Sequence, residues 1–344
     1  MVFSEIILNW YAKNKRDLPW RASREPYRIW LSEVMLQQTR VAQGMPYYEK
    51  FIAAYPTVHD LAAAREEEVL KLWQGLGYYS RARNMHATAK TVVSEYQGRF
   101  PETYDGLVRL KGVGDYTASA IASICFDLPE PVVDGNVYRV LARYFGVDLA
   151  INSSKGATYF KELARTVMAA DDIRDYNQGI MEFGAIQCAP RNPDCDCCPL
   201  QPGCMAHGKS QVGELPVKIR KTAVKKRYFN YLVFRDPLGK TLLERRTEKG
   251  IWQHLYQFPL LESTGELSEI GHSSGLPIEI PKKGTRISLF NEKPIVHKLS
   301  HQHLVTKFWI VDVDNPLPDG IAWEALNGFP VPVLIADFIQ SVKF

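Results

Sequence analysis

The chain has 344 residues, with 42 Lys and Arg against 38 Asp and Glu, a net charge of +4 and 46% hydrophobic residues. This is the composition of an ordinary soluble globular protein with two or three domains, each long enough to bury a core, and its mildly basic balance permits a nucleic-acid partner without demanding one. The N-terminus lacks the charged-then-apolar layout of a secretory signal and no apolar stretch approaches about 18 residues, so a cytoplasmic protein with no membrane association is expected.

Residues 1 to about 205 read as helices throughout, punctuated by Pro101, by Gly112 to Gly114 and by the pair Asp134 and Gly135. The stretch RIWLSEVMLQQTRVAQGM predicts one helix whose core stripe is Leu31, Val34, Met35, Gln38, Val41, Ala42 and Met45. Glu33 points away from that stripe, onto a face shared with Ile29, Trp30, Leu36, Gln37, Arg40 and Gly44. A lone helical Glu ordinarily faces solvent. Trp and Leu beside it favour a desolvated carboxyl with a raised pKa, the state a general acid needs at neutral pH.

Residues 107–124, LVRLKGVGDYTASAIASI, place Gly112, Val113 and Gly114 between two short helices. Two glycines allow a tight turn whose amides bind a backbone phosphate, with Lys111 adding charge; the plainer reading is an ordinary helical hairpin. In PVVDGNVYRVLARYF, Asp134 immediately precedes a helix with the stripe Val137, Val140, Leu141 and Tyr144. A helix N-cap is the simple role for it. That role is compatible with a chemical one, because amide donors and the positive helix end keep a carboxylate ionised. One protonated and one ionised carboxyl form the pair that cleaves a glycosidic bond through an oxocarbenium-like transition state.

Cys188, Cys195, Cys198 and Cys204 follow with the spacing C-x6-C-x2-C-x5-C. Four thiolates in seventeen residues suit a tetrahedral zinc or a four-iron cluster. A disulfide framework fits poorly with a chain of this size and no secretory signal. Cys125 reads as a buried hydrophobe and Cys197 as a bystander in the loop. Residues 209–227 form a Pro- and Gly-interrupted linker with six Lys or Arg in its last ten positions, either a solvated tether or a phosphate-contacting strap. Beyond it, YFNYLVFR, the turn DPLGK, TLLERR and VTKFWIVDVD read as strands of a second, α+β domain.

In the order and at the separations found here, SEVMLQQTRV, GLGYYSRARN, LKGVGDYTASAI, VDGNVYRVLAR and the cysteine cluster resemble the helix-hairpin-helix DNA glycosylases that carry an iron-sulfur cluster, in particular the MutY-type adenine DNA glycosylases. The resemblance spans nearly the whole chain. It implies a mainly helical catalytic domain with a helix-hairpin-helix and cluster loop over 1–208, the linker over 209–227, and a Nudix-like lesion-recognition domain over 228–344. It implies a [4Fe-4S] cluster on Cys188, Cys195, Cys198 and Cys204, and a monomer that acts on double-stranded DNA containing adenine opposite 8-oxoguanine or guanine. If the source is bacterial, it implies a place at the nucleoid.

Residue by residue, the resemblance implies that Glu33 protonates adenine at N7 and Asp134 stabilises the sugar cation, with Tyr116 and Asn136 orienting Asp134 and the water. Tyr116 stands where strand-cutting relatives carry a nucleophilic lysine, so no Schiff base is expected. Glu33 and the long C-terminal domain separate this chain from the thymine mismatch branch. Trp20, Arg21 and Glu182 match the pocket for the flipped adenine, and Leu36, Gln38, Thr39, Tyr78, Lys111, Gly112, Val113 and Gly114 the DNA contacts.

In the C-terminal domain, GIWQHLYQFP matches the family's G-x-W-x-x-x-W-x-F-P run with Tyr256 in place of the second Trp, and LLESTGELSEI does not supply the Glu-rich metal helix of a Nudix hydrolase. Ser300 and His301 match the element that recognises 8-oxoguanine, with Leu299 where Phe is usual. His297 and His303 nearby leave a zinc site as a rival reading of that segment. A DNA-binding iron-sulfur protein that recognises lesions without cutting is the alternative to an enzyme; the joint presence of Glu33, Asp134 and Tyr116 favours the enzyme.

Overall fold

The computed structural model describes residues 2–219, 224–271 and 285–342. Its helices are α1 (Phe3–Asn14), α2 (Pro26–Leu36), α3 (Val41–Ala54), α4 (Val58–Ala63), α5 (Glu66–Leu72), α6 (Tyr79–Tyr96), α7 (Tyr104–Val108), α8 (Asp115–Phe126), α9 (Gly135–Phe145), α10 (Ser154–Val167), α11 (Ile173–Ile186), α12 (Met205–Gly208) and α13 (Val333–Ser341). Two compact units result: Met1–Ala63 with Asn84–Arg220, and Ala64–Arg83 with Lys221–Phe344. Residues 64–83, which the sequence reads as part of the helical domain, therefore belong with the strand-rich unit.

The helical unit is built on α1, α9, α10 and α11, whose Ile7, Trp10, Tyr11, Val137, Val140, Leu141, Phe160, Tyr176, Ile180 and Phe183 form one core. Each such side chain contributes about 1.5–3 kcal/mol by leaving water. Gly179 lets α1 and α11 touch: a Cβ there would stand 3.0 Å from Tyr11 Cβ. Helix α9 has local start and stop signals, with Asp134 as N-cap and Gly146 at φ +66 closing its C-terminus.

The single helix expected over 28–45 is instead two. Helix α2 ends at Leu36, Gln38 takes φ +57, and α3 begins at Val41. Helix α2, moreover, has no solvent face, since Tyr27 and every residue from Ile29 to Met35 are buried. The expected contrast between a core stripe and a second face thus gives way to burial all round.

The second unit is organised by β1 (Lys225–Arg235) and β8 (Gln302–Val313), which pair in parallel with Tyr231 opposite Phe308. Strand β5 (Leu260–Ser263) flanks β1, and β6 (Thr285–Leu289) and β7 (Ile295–Lys298) flank β8, all antiparallel. Leu232, Phe234, Trp309 and Val311 pack on one face. On the other, Phe338 of α13 stacks on Phe308 at 3.9 Å. The strand expected over 241–246 is interrupted, leaving only β2 (Lys240–Thr241) and β3 (Glu244–Arg245) extended, which pair with β9 (Ile321–Ala322) and β4 (Tyr256–Gln257). No helix occurs among residues 264–271, where a Nudix hydrolase would begin its metal helix.

Candidate active site

Glu33 lies in the last turn of α2 with 8% of its surface exposed. Tyr116, the second residue of α8, donates its hydroxyl to Glu33 Oε2 at 2.6 Å and also approaches Met181 Sδ at 3.4 Å. Burial pushes the Glu33 carboxyl up to about 7; the Asp134 charge adds to this, while the Tyr116 hydrogen bond and Arg21 oppose it. Burial, reinforced by the two carboxyls, likewise holds the Tyr116 phenol well above its ordinary range. Tyr116 therefore touches Glu33, whereas the sequence reading set it against Asp134.

Asp134 caps α9. Its Oδ1 accepts the backbone amides of Asn136 and Val137 at 2.9 and 2.8 Å, and its Oδ2 accepts Asn136 Nδ2 at 2.7 Å. Burial raises its pKa even so, with the three hydrogen bonds and Arg139 pulling the other way. Asn136 is fixed in turn by Arg139, whose Nη2 donates to Asn136 Oδ1 at 2.8 Å and to the Gly184 carbonyl at 2.6 Å, and whose Nε donates to the Cys188 carbonyl at 2.7 Å. Gly184 is required here, because a Cβ would stand 2.7 Å from Asn136 Cβ and 2.8 Å from its carbonyl oxygen.

Trp20 is buried edge-on against Tyr48 at 5.2 Å. Glu182 accepts hydrogen bonds from both Arg16 and Arg21, with ion-pair distances of 2.6 and 2.8 Å. Burial would raise the Glu182 carboxyl, but these bonds outweigh it and hold the group down at about 2. Its oxygens are thus spent on the two arginines. Sequence reasoning missed Arg16 and Met181, which carry no motif signal. Arg139 and Arg143 did carry one, as two arginines four residues apart in the otherwise apolar stretch VYRVLARYF; both are buried on α9.

At the end of α2, Thr39 donates its amide to the Leu36 carbonyl at 3.1 Å, closing the turn that contains Gln38. Gly112 adopts φ +77 with Asn84 packed where a Cβ would be, and Gly114 is the N-cap of α8. Val113 is buried, Lys111 is exposed, and the Lys111 carbonyl accepts Thr88 Oγ1 at 2.6 Å. The turn of the hairpin is therefore set by the backbone at Gly112, where any other residue would be strained.

Cys188, Cys195, Cys198 and Cys204 line one small cavity of about 30 Å³. Arg143 Nη1 lies 3.4 Å from Cys188 Sγ and 2.8 Å from the Ala189 carbonyl, placing a cation beside the sulfurs. Among the described residues, no three His, Cys, Asp or Glu are grouped to hold a single metal ion, in this loop or around His297 and His303. Cys197 is exposed, and Cys125 lies apart in α8 with its thiol pushed up to about 12 by burial.

Within the second unit, a cavity of about 640 Å³ is lined by Tyr78, Arg83, Arg227, Trp252, Ser300 and His301 among others. The Tyr78 hydroxyl hydrogen-bonds Ser300 Oγ. The segment bearing Tyr78 is held by α5, where Glu66 accepts Arg245 Nη2 at 2.9 Å and meets His254 Nδ1 at 2.7 Å, and Glu67 accepts the Tyr256 hydroxyl at 2.5 Å.

Residues 31–167 match the HhH-GPD superfamily base excision DNA repair protein model, and residues 230–341 match the NUDIX domain. A protein of Buchnera aphidicola subsp. Schizaphis graminum named adenine DNA glycosylase is 34% identical over 345 residues, 96% of each chain. The chain belongs to the adenine DNA glycosylase family. Another member of the family, from Rattus norvegicus, is 45% identical over 226 residues, 62% of this chain and 44% of the rat protein. Among solved structures, a thermostable thymine-DNA glycosylase is 34% identical with a TM-score of 0.56, covering 60% of this chain and 95% of its own.

Proposed function

We propose that this adenine glycosylase family member removes adenine mispaired with 8-oxoguanine or guanine from double-stranded DNA by hydrolysis, leaving the strand uncut. The observation that carries this reading is the unequal treatment of two buried carboxyls: Glu33 has one hydroxyl donor and a pKa near 7, while Asp134 has three amide donors. The proton of such a pair resides on Glu33, the acid, and the negative charge on Asp134. With adenine flipped beside Trp20 and Arg21, Glu33 delivers the proton to N7, Asp134 steadies the sugar cation, and water completes the hydrolysis. Asn136 positions Asp134, Tyr116 positions Glu33, and Glu182 holds Arg21. With Tyr116 at this position of the hairpin, no amine attacks the sugar.

Leu36, Gln38, Thr39 and Tyr78 are read as contacts to the opened duplex, and Lys111, Gly112, Val113 and Gly114 as phosphate contacts. Ser300 and His301, in the cavity that also holds Tyr78, are read as the contacts to 8-oxoguanine. Cys188, Cys195, Cys198 and Cys204 would hold a [4Fe-4S] cluster; four sulfurs around one cavity, with the Arg143 guanidinium beside Cys188, are the thiolate set such a cluster takes. Such a cluster supplies iron-thiolate bonds that order the loop, and the hydrolysis needs no electron transfer. A cytoplasmic monomer with residues 1–208 for catalysis, 209–227 as linker and 228–344 for lesion recognition completes the reading, with residues 64–83 working alongside the last.

The test is incubation with duplexes carrying adenine opposite 8-oxoguanine, adenine opposite guanine, and thymine opposite guanine. Release of adenine, with strand breaks appearing only after alkali, is expected. Release of thymine would move the chain to the pyrimidine branch, and binding without release would make it a lesion reader.

A further inference from the structure

Asp115 places a negative charge one residue beyond Gly114, in the stretch read above as meeting a DNA phosphate. Its side chain is 52% exposed and belongs to the first residue of α8. An unopposed carboxylate there would repel the phosphate that the hairpin is built to accept. Lys161, from α10, lies against it with its Nζ 3.0 Å from Oδ1 and 3.2 Å from Oδ2. The same ammonium donates to Ser119 Oγ and to the Pro131 carbonyl, each at 2.8 Å, and lies 5.9 Å from the Tyr104 ring centre. Tyr104 Oη donates to Asp115 Oδ1 at 2.7 Å.

Lys161 is only 16% exposed, and its three N–H donors are all directed at protein acceptors. It therefore has no donor left for a phosphate of its own. Its reach joins three parts of the helical unit: the start of α8, the second turn of α8, and the segment before Asp134. We propose that Lys161 is a positioning residue for DNA binding, which with Tyr104 neutralises the Asp115 carboxylate and holds it back so that the Gly112–Gly114 hairpin can take a phosphate. The inference rests on the phosphate-binding reading of that hairpin, and it assigns Lys161 an indirect effect through charge.

The test is the affinity for an undamaged duplex, read by fluorescence anisotropy at two salt concentrations, for Lys161→Met, Asp115→Asn, the double variant and Lys111→Gln. Lys161→Met is expected to weaken binding about fivefold at low salt, and the added Asp115→Asn to restore it to within about twofold. Asp115→Asn alone, which does not depend on the folding of the Lys161 variant, is expected to tighten binding. A weakening by Asp115→Asn would overturn the proposal, and so would a Lys161→Met loss that the second substitution fails to rescue: with the salt slope lowered by about one it makes Lys161 a direct phosphate contact, and with the slope unchanged a purely structural residue. Lys111→Gln separates the two levels. If it weakens binding while Lys161→Met does not, this inference alone falls; if neither does, the hairpin reading falls with it.

Discussion

At the scale of single residues, Glu33 and Asp134 share a buried setting but differ in what surrounds them, and that difference assigns the proton. The pKa of Glu33 is raised from 4.5 to about 7. A carboxyl raised in the folded state stabilises the protein below its unfolded pKa and loses that contribution as pH rises through the folded value. The loss between about pH 4.5 and 7 is of order 3 kcal/mol at most. Glu33→Gln is thus expected to melt at a higher temperature than the wild type at pH 8 and at the same temperature near pH 4.5; equal destabilisation at both would contradict the assignment. Wild-type base release should fall on the alkaline side of pH 7, as the acid loses its proton. The burial of Glu33 was legible in Trp30 and Leu36 around it, and the capping role of Asp134 in its place before Gly135. The contacts of Tyr116 and Arg16 were not, since both depend on partners more than 80 residues away in sequence.

Among the elements, α9 announces itself because its caps are local chemistry. The joint between α2 and α3 does not. Its apolar spacing runs unbroken from Leu31 to Met45, and only the left-handed backbone at Gln38, a conformation that a non-glycine residue adopts at a cost, reveals the break. That break is what makes Gln37–Arg40 a loop at the end of the helix carrying Glu33. The packing of α11 on α9 is equally invisible to periodicity, yet it sets the position of Asn136. Gly184→Ala forces a Cβ against the Asn136 side chain and backbone. It is expected to lower the rate of base release at least tenfold while costing about 1–3 kcal/mol of stability. A rate unchanged in a folded Gly184→Ala protein, measured under single-turnover conditions, would show that this contact does not position the site.

For the whole molecule, the strands β1 and β8 and the helical character of the first 205 residues were legible because long periodic segments declare their period. The assignment of residues 64–83 was not. Periodicity tells which face is buried but not against which partner, and here the partners lie more than 170 residues away: Arg245 and His254 on Glu66, Tyr256 on Glu67, and the Phe329 carbonyl on Lys71 Nζ at 3.1 Å. Tyr256, the departure from the family's Trp, makes one of these bonds through its hydroxyl. A fragment of residues 1–219 would strip this segment of its partners, leaving the buried Leu70, Trp73 and Tyr79 with less cover. It is expected to bind a hydrophobic dye and to melt below the full chain. A fragment as stable and as dye-free as the full chain would contradict the grouping.

In the proposed mechanism one proton on Glu33 drives the loss of adenine. Single-turnover release of adenine from a duplex with adenine opposite 8-oxoguanine, measured for the wild type and for Glu33→Gln alongside the affinity of each for the same duplex, tests it most directly. Release by the wild type, none detectable from the variant, and affinities within a few-fold of each other are expected. Release by Glu33→Gln at the wild-type rate would contradict it.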